Sequence, residues 1–262
     1  MTPETMGLIT EAEAGSSTAR AYDLIRSTLD SAFVPSIYQS LATCPPVLDA
    51  AVEVLPRVVA LARDADFPAR VCALAATALE VEAAGSTRPR LALSDASRDV
   101  ILGYRAANPL NLLLVLALLG TGIHDWPDVM TEVSAPTDDH LTLDDQITRA
   151  HGGVLLPGLW RGLLALSSAE DPWSEVHAFA ASGQLPGLRA EVRSLAEQVL
   201  YEGHFASDTG QLGMPLPQEL PHLTWFPTGI ATMIVEAEVL ISSSQTRPRP
   251  DRDQFNARLE RT

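Results

Sequence analysis

The chain has 262 residues, with 33 acidic against 18 basic side chains for a formal charge of −15. Every basic residue is Arg, which excludes a Lys Schiff base, a Lys general base and a phosphate-cradling P-loop Lys. An acidic, lysine-free chain also lacks the clustered positive charge that nucleic-acid and anionic-membrane binding require, while a 46% hydrophobic composition is ample for a folded core.

Residues 1–15 are acidic, carry no apolar signal-type run and read as a flexible N-terminus. Ser17–Asp30 places Ala21, Leu24, Ile25 and Leu29 on one helical stripe. Pro35 opens a short helix over Ser36–Thr43, and Pro45-Pro46 stops it and opens the next. Pro56 is expected to kink or split that helix, because it has no N–H and crowds the preceding turn. Phe67–Ala84 follows, with Gly85 as its stop, and Ser94 caps a helix to Ala106. Asn108-Pro109 then reads as the head of a separate apolar helix ending near Gly120. Residues 121–139, with Pro127, Pro136 and Asp138-Asp139, read as a linker. Helices are expected near Leu141–Ala150, Pro157–Leu166, Pro172–Ala181, Pro186–Phe205 and Gly229–Ile241. Ala206–Pro227 reads as a structured loop with one short helix, and residues 243–262 as a mobile tail.

No hairpin signal and little β-branched alternation appear, so the fold class is all-α. The longest apolar run, Leu112–Leu119, is far short of the roughly 18 residues of a membrane span. Cys44 and Cys72 form no CxxC pair and read as buried structural thiols in a cytoplasmic protein. An internal echo is present: Val34–Leu41 matches Leu156–Leu163 at an offset of 122. Pro109 ahead of Leu112–Val115 matches Pro227 ahead of Ile230–Val235 at an offset of 118. Two echoes in the same order predict two repeated helical halves, 16–120 and 140–242, around the linker.

Asn108 has two readings: a helix N-cap, or a site residue whose amide NH₂ faces a pocket. Phe33, Tyr38 and Trp160 are aromatics on apolar faces, core by default and pocket walls if the halves enclose a site. Glu236 and Glu238 interrupt an apolar helix two residues apart, so they point to different sides. Each either sits at the stripe's edge and reaches water, or faces inward and needs a partner. Glu80 and Glu82 interrupt Val71–Ala84 in the same way. His151, ahead of Gly152-Gly153, is a candidate base or an ordinary loop histidine. Asp23 and Arg26 read as an i, i+3 surface pair. Ser36 and Gly158, small residues at matching positions, leave room for a substrate against a helix N-terminus.

The segments Tyr22-Asp23-Leu24-Ile25-Arg26, Phe33-Val34-Pro35-Ser36, Leu41-Ala42-Thr43-Cys44-Pro45 and Tyr104-Arg105-Ala106-Ala107-Asn108-Pro109-Leu110-Asn111-Leu112-Leu113-Leu114 resemble segments of the group I 2-haloacid dehalogenase family. The resemblance implies two pseudo-repeated helical halves packed around a central cavity, with no cofactor and no metal. It implies one-step displacement at a saturated carbon by an Asp-activated water, with Asn108 helping to hold the water. Phe33, Ser36, Tyr38, Tyr104, Gly158 and Trp160 then line the substrate, and the family's Asp falls on Leu159. Leu cannot take a proton, which makes Glu236 and His151 the replacement candidates.

Three functions are therefore in view. One is a diverged substitution enzyme whose small-molecule substrate carries its own nucleophile and closes a ring with loss of an anion. Another is a non-catalytic subunit that stabilises an active paralogue as a dimer. The third is a hydrolytic 2-haloacid dehalogenase.

Overall fold

The computed structural model describes residues 7–83, 91–120, 141–153, 155–168, 170–203 and 221–244. Among them the apolar periodicities become ten α-helices and a 3-10 turn, with no strand. The helices are α1 (Ser16–Leu29), α2 (Ser36–Leu41), α3 (Pro45–Asp64), α4 (Phe67–Ala83) and α5 (Asp95–Leu119). Next in the chain come α6 (Leu143–Ala150), α7 (Gly158–Ala165), α8 (Glu170–Ala180) and α9 (Leu185–Glu202). The 3-10 turn Pro221–Trp225 leads into α10 (Phe226–Ser244).

Helices α5 and α10 lie along each other, and α3, α4, α7, α8 and α9 pack around this pair. From Leu112 to Leu119, and from Phe226 to Ile241, every residue is buried. A helix that is apolar on all sides is a central core helix. Counted by helix rather than by unbroken apolar run, both are long and apolar enough to cross a membrane. In this protein, however, 61% and 94% of the respective windows are buried inside the fold.

The Asn108-Pro109 pair corrects one sequence expectation. Helix α5 runs unbroken through Pro109, and its N-cap is Ser94, which accepts from the Ser97 N–H. Asn108 is therefore an interior helical residue, not a cap. An internal Pro costs a helix about 3 kcal/mol. Burying each Leu that follows returns about 1.5–3 kcal/mol, so packing of Leu112–Leu119 carries the helix past the break. Helix α3 likewise continues across Pro56.

At the first echo, α2 and α7 begin alike. Pro35 (φ −57°, ψ 147°) and Pro157 (φ −59°, ψ 146°) precede them with nearly the same backbone. The paired positions Ser36 and Gly158, Tyr38 and Trp160, and Leu41 and Leu163 are all buried.

Residues 7–15, expected to be loose, are held to the body. The Ile9 N–H donates to the Gln39 carbonyl at 2.9 Å, and Tyr22 Oη donates to the Ile9 carbonyl at 2.6 Å. Arg26 pairs with Asp23, as expected, and also with Glu11. Cys44 and Cys72 are free thiols, half-buried rather than buried. The linker 121–139, most of the 206–227 loop, Gly85, the tail beyond Ser244 and the Glu80 and Glu82 side chains lie outside the described residues.

Candidate functional site

The polar centre of the second part of the chain is assembled from three elements. Helix α6 ends at His151, whose N–H closes onto the Ile147 carbonyl at 3.1 Å. Gly152 (φ 88°) and Gly153 (φ 73°) then take a conformation that side chains disfavour, turning the chain toward α7. The turn leaves the His151 ring facing inward, 1% exposed. Trp160, in α7, is 0% exposed, and Glu236, in the middle of α10, is 2% exposed. Of the two readings of Glu236 and Glu238, the one that has them reach water at a stripe's edge does not hold, and the inward one does: both are buried.

Trp160 Nε1 donates to Glu236 Oε2 at 2.9 Å. His151 Nε2 lies 2.9 Å from Glu236 Oε1, at ion-pair distance though poorly aligned for a hydrogen bond. On the ring's other side, His151 Nδ1 lies 2.8 Å from the Ile147 carbonyl. A carbonyl only accepts, so Nδ1 carries a proton. A neutral ring would then turn an Nε2 lone pair toward a carboxylate, so protonation of Nε2 relieves the contact. Burial works against a charged His151. The nearby Glu236 charge, with the Ile147 carbonyl, outweighs it despite Arg189, and the net shift is upward from the ordinary 6.5.

Aromatic rings enclose this pair. Trp173 of α8 meets Trp160 edge-on, with centroids 5.1 Å apart at 89°, and lies 6.2 Å from the His151 ring. Trp225 Nε1 donates to the His151 carbonyl at 2.7 Å. The arrangement is a buried, clamped carboxylate–imidazole pair that holds a proton and has the chemistry to accept another. Leu159, adjacent to the Trp160 that clamps Glu236, is 0% exposed.

A second group forms where α5 faces α7 and Phe33, in the loop ahead of α2. The Phe33 and Tyr104 rings stack with centroids 4.5 Å apart. Gly158 does not leave room for a substrate: a Cβ there would lie 2.4 Å from Tyr104 Oη and 2.8 Å from two ring carbons. The phenol occupies that space, and burial pushes its pKa up to about 12 against a lowering by Arg161. Gly158→Ala is therefore expected to destabilise the fold by about 1–3 kcal/mol. Chemical denaturation checks this, and Tyr104→Ala in the same chain should remove most of the Gly158→Ala penalty.

Asn108 Nδ2, Asn111 Oδ1 and Tyr38 Oη are buried without a hydrogen-bond partner among the described residues. Asn108 and Asn111 lie i, i+3 apart, hence near one face of α5, with Tyr104 one turn before Asn108. Ser36 is buried at the start of α2. The structure thus joins Glu236, His151 and Trp160 in one group, and Phe33, Tyr104 and Gly158 in another.

The opposite side of α10 carries Glu238, 3% exposed, paired with Arg105 of α5. Sequence reasoning did not single out Trp173, Trp225 or the Arg105 pairing. The one available signal was the need of an inward Glu238 for a cation. Among the described residues, no cluster of His, Cys, Asp or Glu is arranged to hold a metal ion. No protein-family model, no curated protein and no solved structure matches the chain.

Proposed function

We propose that the chain is an enzyme of nucleophilic substitution at a saturated carbon, with the Glu236–His151 pair as its base. The observation that supports this is the buried carboxylate bound by Trp160, the residue that follows Leu159 in the chain. That is the position at which the resembled family places its Asp. A buried charged pair is costly in a core, and such groups are enriched at functional sites.

In this reading the substrate supplies its own amine. The nitrogen attacks the saturated carbon, a C–N bond forms, and the leaving anion departs with the C–X electron pair. The proton released from nitrogen passes to the Glu236 carboxylate, while the His151 imidazolium balances the site. Asn108 Nδ2, a donor without a partner among the described residues, is assigned to the departing anion. The two echoes and the matched starts of α2 and α7 support a duplicated fold with the site between its halves, and the free thiols support a cytoplasmic setting.

A second reading, a non-catalytic subunit of a paralogue dimer, is favoured by Leu159 itself, which occupies the Asp position as an ordinary core residue.

The test is halide release from a short haloamine, 4-chlorobutylamine, and from 2-chloropropanoate. The wild-type chain is expected to release chloride from the haloamine, with Glu236→Gln slower by about 100-fold or more. Release from 2-chloropropanoate alone would instead make the protein a hydrolytic dehalogenase. Release from neither substrate, with sedimentation showing the chain to be stable only with a partner, would favour the subunit reading.

A further inference from the structure

We infer that the cleft between α4 and α5 is a binding site for a small monocarboxylate, which sets its carboxylate on Arg105 and its apolar body against alanine walls. The cleft has a volume of about 480 Å³, within the range of small-ligand pockets. Pro68, Ala69, Ala73 and Ala76 line one side, and Leu102 and Ala106 the other. Leu102 is among the few large apolar side chains of the described residues left exposed.

Arg105 is the cation lining this cleft, and its guanidinium is fixed from behind. Its Nε pairs with Glu238 Oε1, and Nη2 lies 3.4 Å from Glu238 Oε2. Glu238 is 3% exposed while Arg105 is 37% exposed, so the carboxylate is committed to the core and the guanidinium remains reachable. Among the described residues Nη1 has no hydrogen-bond partner, which leaves one edge of a planar fork for an acceptor. A guanidinium held in plane by a buried carboxylate has already lost the side-chain freedom that a ligand would otherwise have to remove. Fork geometry favours a carboxylate over a single-acceptor amide.

The overall charge of −15 repels anions, but at physiological salt its reach is about 8 Å, and the contact to Arg105 is shorter than that. Cys72 also lines the cleft. Burial, with the Glu238 charge and hydrogen bond, pushes its thiol up to about 12 against Arg105. The thiol therefore stays protonated at neutral pH, and the cleft binds its ligand without reacting with it. This site is independent of the Glu236–His151 pair.

Titration calorimetry on the full chain with benzoate and benzamide tests the assignment. Benzoate is expected to bind saturably, and benzamide about tenfold more weakly. Ala73→Leu, at an exposed wall position that the fold tolerates, should weaken benzoate about tenfold or more by filling the cleft. Arg105→Lys should do the same by removing the fork. If Arg105→Lys fails to fold, Ala73→Leu still decides. Absence of saturable benzoate binding, equal binding of benzamide, or benzoate binding unchanged in Ala73→Leu would each overturn the proposal.

Discussion

Glu236→Ala is expected to cost the fold about 3–5 kcal/mol, the usual penalty for breaking a buried ion pair by removing one partner. The loss is large because two groups and the local packing depend on the same carboxylate. Without it, the Trp160 indole N–H has no acceptor, the His151 ring has no counter-charge, and a void opens in the middle of α10. Glu236→Gln separates these contributions. The amide oxygen still accepts from Trp160, so the packing and one hydrogen bond survive, and a loss of about 1–3 kcal/mol is expected. The pH dependence distinguishes the two further. His151 is shifted upward in the folded chain, so its contribution to stability is complete below the unfolded histidine range and declines as pH rises through the folded pKa. Denaturant midpoints across pH 5–9 should show that decline in the wild type, whereas in Glu236→Gln the same decline should vanish. An equal decline in both proteins would place its source elsewhere.

Leu159→Asp should be equally severe, and it separates core from site at the position that matters most. Leu159 is fully buried, between the Gly158 that receives the Tyr104 ring and the Trp160 that clamps Glu236. A new carboxylate there would lose a buried Leu, about 2–5 kcal/mol. It would also be a charge in a fully buried position with no cation shown to pair with it. Loss of soluble protein, or a fall in stability above about 4 kcal/mol, is the expected outcome. A stable Leu159→Asp chain would mean that a cavity with room for a base exists at this point, and the surroundings of α7 would need another description.

The sequence was informative where local rules and tertiary packing agree. The Ser94 cap, the Pro-led starts of α2 and α7 and the apolar stripe of α1 follow from short-range chemistry, and the helices form within a few residues of expectation. Asn108-Pro109 failed because two complete local signals, a favoured cap residue and a favoured first-turn residue, were overridden by burial of Leu112–Leu119. No local rule weighs that burial. Glu236 and Glu238 were found from their two-residue spacing on an apolar helix, and they do face opposite sides. Their partners were legible only in part. His151 and Trp160 were named for separate reasons, and their meeting on Glu236 spans 76 residues between Trp160 and the carboxylate. Trp173 carried no pattern of its own, and its place beside the pair exists only once α8 packs on α10. Gly158 was read for its smallness, correctly in size but not in consequence, since the missing Cβ makes room for Tyr104 rather than for a ligand.

The ¹⁵N chemical shifts of the His151 ring, followed over pH 5–9 in wild type and Glu236→Gln, test most directly that Glu236 and His151 form a charged, proton-holding pair. In the wild type both ring nitrogens should carry protons at pH 6.5 and the titration should lie above the ordinary histidine value, while Glu236→Gln moves it down. A wild-type His151 that is already neutral at pH 6, or that titrates identically in Glu236→Gln, would contradict the pair and the base role built on it.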